Sequence, residues 1–344
     1  MKPEEMYKIR DDSRFMHPSL REFHEATHAQ DSGIVSFQMN EDIPFETRRD
    51  SALAATEQMK AASQKNERVI MIQAEGLKDV EYAVPVQGEM IRPTGFKEGK
   101  KYPCVLIIPG GALTTCSVGW PDATPIADHN NAVVISAYYR TIFDEHGQYP
   151  AAINDLHAMY QHIVEHADEL QINKDKIVLL GFSSGAHLAL ALCHRLKKYH
   201  YNPRGCFAVF PIPDNRPIYP SSHVISNGWD GRGVYLTSKA WLGRMLPQDV
   251  PAEAFANNAT VDECIGLPPT VIYTTESDPS VDPCMIYASK LIQAGVFTTL
   301  KVWGGANHMN LGGDSDYAAR YAKQQAEDLK DLLDYDNRRP WTME

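Results

Sequence analysis

The stretch Ile177-Val178-Leu179-Leu180-Gly181-Phe182-Ser183-Ser184-Gly185-Ala186-His187 decides the fold. An apolar run precedes a Gly-x-Ser-x-Gly motif, and a second apolar run, 188–196, follows it. The pattern predicts a strand that turns sharply into a helix. Such a turn leaves no room for Cβ atoms at Gly181 and Gly185, so glycine is required at both. Ser183 stands at the apex, at the carboxyl edge of the sheet, with its hydroxyl exposed and ready to attack a carbonyl. The amide N–H of Ser184, at the helix start, points towards the same space.

Outward from this turn the chain alternates strands and helices. Apolar runs at 104–108, 132–137, 177–180, 206–210, 270–274 and 298–303 read as buried strands. Between them, 150–169 has helical spacing, with Ile153, Leu156, Met159, Tyr160 and Ile163 on one face. Residues 284–294 read as a helix stopped by Gly295, and 315–335 as a last helix. Nearer the N-terminus, 51–63 reads as a helix with Ser51 able to cap it. The pattern turns to strands from Arg68, and 80–84 alternates as a half-buried strand does. Apolar strands alternating with amphipathic helices predict an α/β fold: a mostly parallel sheet with helices on both faces. Ligands of such sheets bind at the carboxyl ends of the strands, where Ser183 falls.

The segment 212–268 interrupts the alternation and is rich in Pro, Asn and aromatics, Trp229 and Trp241 among them. With the polar N-terminal stretch it is expected to form a cap over the strand ends. The expected division is an N-terminal cap segment, 1–75, and a catalytic domain, 76–344, carrying the cap-like insertion 212–268.

Composition bounds the partners. The net charge of −11 argues against nucleic acid and anionic membranes, which need a basic face. The N-terminus is charged, and no run is long enough to span a bilayer. Six scattered cysteines form no Cys-x-x-Cys pair and several sit in apolar runs, which fits reduced thiols in a cytoplasmic protein. No Cys/His cluster has zinc-site spacing. His162 and His166 lack the Glu of a zincin and read as one exposed helix face. No metal or cofactor is expected. The oligomeric state is left open.

A serine hydroxyl needs a base, and the base needs a carboxylate to hold its tautomer. In sheets of this kind the chain order is Ser, then Asp or Glu, then His, each after a strand. Among 13 histidines, His308 follows the strand 298–303, in a Gly-rich loop before the last helix. His187 lies one helical turn from Ser183 and reads as a packing residue. Asp278 lies just past the strand 270–274. Its competitors are Glu276, which would brace the loop, and Asp282, which reads as an N-cap or first-turn acid. The strand 104–108 ends in Pro109-Gly110-Gly111-Ala112. Gly110 enables the turn, and the N–H groups of Gly111 and Ala112, with Ser184 as third donor, are the candidate oxyanion hole.

From about Tyr102 to the last helix, these residues resemble the α/β-hydrolase fold, in the branch of bacterial esterases similar to hormone-sensitive lipase. Pro109-Gly110-Gly111-Ala112 stands where that branch has His-Gly-Gly-Gly. Tyr139-Arg140, then Tyr149-Pro150-Ala151-Ala152 and Asp155, resemble its stretch from Tyr-Arg to Phe-Pro-Ala-Ala and Asp. Gly181-Phe182-Ser183-Ser184-Gly185 stands for Gly-Asp-Ser-Ala-Gly, and Gly266-Leu267-Pro268-Pro269 with Glu276-Ser277-Asp278-Pro279 match in kind and spacing. Pro109, Ala112, Phe182 and Ala186-His187 depart from the pattern. They are more similar to esterases of acetyl and feruloyl type that act on acylated carbohydrates. The resemblance implies a serine esterase and leaves the substrate unassigned. The residues themselves admit a carboxylesterase of short- to medium-chain acyl groups, an amidase or peptidase, or a binding protein on the same fold.

Overall fold

The computed structural model describes residues 16–20, 38–119, 122–225, 231–308 and 315–335. Its centre is an eight-stranded sheet. In chain order the strands are β1 (Ile70–Ala74), β2 (Val86–Ile91), β3 (Tyr102–Ile108), β4 (Val133–Ala137), β5 (Ile172–Phe182), β6 (Gly205–Val209), β7 (Thr270–Ser277) and β8 (Thr298–Asn307). Their spatial order is β1-β2-β4-β3-β5-β6-β7-β8. Only β2 pairs antiparallel, with β1 and with β4; the other neighbours are parallel.

The apolar strand runs are continuous because both faces of the sheet are covered. Helices α1 (Phe45–Ser63), α2 (Ala123–Asn130), α3 (Ala151–Glu165) and α4 (Ser184–Lys198) alternate with the first strands. Leu106, Ile108, Ile135 and Leu179 point to one face, against Leu156 and Met159 of α3 and Leu188 and Leu192 of α4. Val105, Ile107, Val134 and Leu180 point to the other, against Ala127 of α2 and Leu329 and Leu332 of the last helix, α9 (Asp316–Asp334). Between them lie α5 (Pro220–Val224), α6 (Gly231–Leu242), α7 (Val261–Cys264) and α8 (Val281–Gln293).

The structure departs from the sequence-based expectations in several places. Residues 80–84 are not a strand: Asp79 and Tyr82 have φ of 60° and 57°, which breaks an extended run. The Tyr82 ring instead stacks on His146 at 3.7 Å. Helix α1 begins at Phe45 behind Pro44, so Ser51 lies inside it and caps nothing. Helix α8 starts at Val281, three residues earlier than expected, because Ser280 serves as its N-cap position. Gly304 and Gly305 belong to β8, which runs on to Asn307 past a shift of register against β7. Trp229 lies outside the described residues.

The insertion 212–268 is tied to the sheet's helices by polar and aromatic contacts. Trp241 is fully buried between Tyr149, His187 and Phe255. Asp214 accepts hydrogen bonds from Arg216, Tyr219 and Asn257. Ser221 donates its hydroxyl to the Pro279 carbonyl and its N–H to Asp282.

One buried ion pair braces the region below the site. Arg140, after β4, makes a two-pronged contact with Asp155 of α3 at 2.7 Å and 2.9 Å. Burial lifts the Asp155 carboxyl above its ordinary range, and Arg140 pulls it back. Removing the cation would strand a buried carboxylate. Arg140→Ala is therefore expected to cost about 3–5 kcal/mol of stability, measured by urea denaturation. A loss below about 1 kcal/mol would mean the pair acts like a surface salt bridge.

Candidate active site

The turn between β5 and α4 has the predicted geometry. A Cβ on Gly181 would sit 2.3 Å from the Gly185 carbonyl oxygen, and one on Gly185 would sit 2.0 Å from that of Ile108. Neither fits. Ser183 itself has φ 53° and ψ −120°, a region in which L-residues are strained. The strain is held from both sides: Ser183 N–H donates to Val209 at 2.8 Å, and its carbonyl accepts from His187 N–H at 3.0 Å. Its neighbours Phe182 and Ser184 are buried, whereas Ser183 is partly open.

His308 and Asp278 reach this serine through the pairing of β7 with β8. Ser277 pairs with Asn307, so the next residue on each strand, Asp278 and His308, emerges side by side. Ser183 Oγ lies 2.8 Å from His308 Nε2, and His308 Nδ1 lies 2.7 Å from Asp278 Oδ2. The other Asp278 oxygen accepts the Ser280 N–H at 2.7 Å, which fixes the carboxylate plane. Asp278 is fully buried and His308 nearly so.

The competing acids have other contacts. Glu276 accepts the Gly305 N–H at 3.0 Å and so ties β7 to the strand that carries His308. Asp282 lies in the first turn of α8 and accepts the Ser221 N–H. His187 is buried one turn below Ser183, against Trp241 and Phe255. It packs, as its position in the sequence suggested.

The loop after β3 wraps the turn that carries Ser183. A Cβ on Gly110 would meet the Phe182 carbonyl oxygen at 2.9 Å and Ser183 Cβ at 3.3 Å. Gly111, Ala112 and Leu113 have φ of 122°, 56° and 61° in succession. This run turns the chain so that the Gly111 carbonyl accepts the N–H groups of Thr114 and Thr115. Among the described residues, no backbone carbonyl takes the N–H of Gly111, Ala112 or Ser184. Tyr139 donates its hydroxyl to the Pro109 carbonyl at 2.7 Å and pins the loop.

Two contributors escaped sequence reasoning. Tyr139 was legible only as part of a motif. Residues 16–20 pack beside the His308 strand: His17 N–H donates to the Gly305 carbonyl at 2.7 Å, and Met16 and Leu20 are buried. No local signal in that short segment points to a contact nearly three hundred residues away. His162 and His166 lie with rings 4.4 Å apart at the end of α3. Among the described residues no group of three His, Cys, Asp or Glu could hold a metal ion, and no helix is long and apolar enough to cross a membrane.

Residues 105–311 match the model of an alpha/beta hydrolase fold family, and the chain belongs to that family. It is 25% identical over 241 residues to an esterase of Mycobacterium tuberculosis, covering 67% of this chain and 76% of that protein. It is 28% identical over 166 residues to an acetyl esterase of Salmonella paratyphi B, covering 46% of this chain and 49% of that one. A solved fungal esterase from Rhizomucor miehei superposes with a TM-score of 0.74 at 21% identity, over 93% of this chain and 98% of that one.

Proposed function

We propose that the protein is a serine carboxylesterase that hydrolyses short- to medium-chain acyl esters through an acyl-enzyme. The continuous Ser183–His308–Asp278 hydrogen-bond chain carries the reading. His308 Nε2 takes the Ser183 proton as the hydroxyl attacks the ester carbonyl. The N–H groups of Gly111, Ala112 and Ser184 receive the oxyanion; each such donor is worth about 2.7–4 kcal/mol in the transition state. His308 then protonates the leaving alcohol, and later takes a proton from the water that releases the acid. Asp278 holds the Nδ1–H tautomer and supports the imidazolium.

The names of the relatives, an esterase and an acetyl esterase, support ester hydrolysis and a short acyl group. Acylated carbohydrates are the proposed natural class, on the Pro-Gly-Gly and Gly-x-Ser-x-Gly-x-His motifs. The insertion 212–268 and the N-terminal segment 1–75 are proposed as the cap over the catalytic domain 76–344, with β1 of that segment completing the sheet edge. Six buried free cysteines support a reducing, cytoplasmic setting.

A fluorophosphonate probe and a p-nitrophenyl ester series from acetate to decanoate test the reading. The expected result is one covalent adduct, on Ser183, and an optimum at the short end. An adduct elsewhere, or an optimum at decanoate, would contradict it. Faster turnover of a matched amide than of its ester would favour an amidase instead.

A further inference from the structure

The three N–H groups assigned to the oxyanion come from two segments. Gly111 and Ala112 lie on the loop after β3, and Ser184 opens α4. For the three to converge on one oxygen, the two segments must be placed to a fraction of an ångström. The sheet does not achieve this by itself, because the β3–β5 ladder ends where Ile108 pairs with Gly181. All three donors lie beyond that pair.

Close packing limits their placement on one side only. A Cβ on Gly110 would meet the Phe182 carbonyl oxygen at 2.9 Å, and one on Gly185 would meet the Pro109 carbonyl oxygen at 2.4 Å. Such contacts stop the loop from moving closer to the turn. Stopping it from moving away needs an attraction.

Tyr139 supplies one from the far side of β3. It follows β4, the strand that pairs with β3 on the side opposite β5. Tyr139 is 3% exposed, and its hydroxyl donates to the Pro109 carbonyl at 2.7 Å, with the Gly110 carbonyl at 3.4 Å. Among the described residues no backbone N–H meets the Pro109 carbonyl. The Ser184 side chain lies beside the same phenol. Tyr139 therefore stands where the loop and the turn adjoin. Burial pushes its phenol well above the ordinary value, so it keeps its proton and stays a donor. The rest of the loop is held elsewhere. The Gly111 carbonyl takes the N–H groups of Thr114 and Thr115, and the Leu113 carbonyl takes the Ile142 N–H at 2.9 Å. These bonds shape the loop but do not reach α4.

We propose that Tyr139 is a positioning residue for the oxyanion hole: its hydroxyl anchors Pro109 and so holds the Gly111 and Ala112 N–H groups against that of Ser184. The proposal rests on the carboxylesterase reading. Tyr139 touches no reacting atom and acts through the loop. Without its hydroxyl the loop keeps its internal turn, but its donors sit off the position where the oxyanion forms. Outright loss of one such donor costs about 10²–10³ in kcat, and displacement costs less than loss.

The test measures p-nitrophenyl acetate hydrolysis by the wild type, Tyr139→Phe and Tyr138→Phe. Tyr138 is the control, because its hydroxyl is also buried and bonded, but to Glu89. In Tyr139→Phe, kcat and kcat/KM are expected to fall together, by about 10- to 100-fold. Tyr138→Phe should stay close to the wild type. A second readout is the affinity of a trifluoromethyl ketone. Ser183 Oγ bonds to its carbonyl carbon, the carbonyl electron pair moves to the oxygen, and His308 takes the serine proton. That affinity should fall in Tyr139→Phe by the same factor as kcat/KM. The matching methyl ketone, which remains a ketone, should bind as it does to the wild type. A merely structural loss would not separate the two ketones. Equal losses in the two tyrosine variants, or an unchanged trifluoromethyl ketone affinity, would overturn the proposal. Pro109→Gly covers a Tyr139→Phe that fails to fold. It frees the loop behind the anchored carbonyl, so the same paired losses are expected, and wild-type values would overturn the proposal. Absence of Ser183-dependent turnover by the wild type on any ester would overturn the esterase reading and the proposal with it. Wild-type turnover with an unimpaired Tyr139→Phe overturns the proposal alone.

Discussion

Ser183→Ala is expected to lower kcat for ester hydrolysis by about 10⁶, leaving a residual rate about 10³–10⁴ above water. In the proposed mechanism the variant lacks the attacking atom, Ser183 Oγ. The remainder is what oriented binding and the three backbone donors still supply. The change should not unfold the protein, because the Ser183 N–H and carbonyl, rather than its hydroxyl, hold the turn. Alanine must nonetheless adopt the positive φ that serine adopts, so a loss of stability of up to about 1 kcal/mol is compatible with the fold. Initial rates on p-nitrophenyl acetate, with circular dichroism as the check on folding, decide it. A variant that keeps more than a hundredth of wild-type activity would remove Ser183 from the nucleophile's role.

The second large effect is expected at Asp278. Asp278→Asn keeps the shape but replaces an acceptor oxygen with an amide that can donate to His308 Nδ1. The imidazole would then carry its proton on Nε2, where it cannot accept from Ser183. A fall in kcat of about 10⁴ is expected, with KM little changed. Glu276→Gln separates this from simple bracing: its carboxylate holds the Gly305 N–H, and the amide oxygen of glutamine can accept the same bond. Equal losses in the two variants would show that the acid has been misassigned. Retention of activity within tenfold in Asp278→Asn would do the same.

The turn around Ser183 was legible because it is local. Gly181 and Gly185 flank Ser183 at a spacing set by steric contact, and the contacts that exclude a Cβ there come from the turn itself and from the β3 strand end beside it. The meeting of Asp278 and His308 with Ser183 was legible through order and place: each follows an apolar strand, and the parallel sheet brings consecutive strand ends to one edge. The strands themselves were legible for the same reason, since burial on both faces writes them as unbroken apolar runs. The 80–84 strand failed where alternation arose by chance in a loop. Its Tyr82 satisfies its ring on His146 and its carbonyl on Arg140, both distant in sequence.

The chain order of Ser183, Asp278 and His308, the glycines that let the turns form, and the strand–helix alternation follow from the sequence by itself, because each depends on neighbours along the chain. The tertiary structure alone decided that Ser277 pairs with Asn307, that Tyr139 pins the Pro109 loop, and that His17 reaches Gly305. It also decided that Val234, Thr237 and Ser238 of α6 border the same small void as Ser184 and His187. These are contacts between segments far apart in sequence, and their geometry is set by packing across the whole sheet rather than by any local preference of the residues that make them.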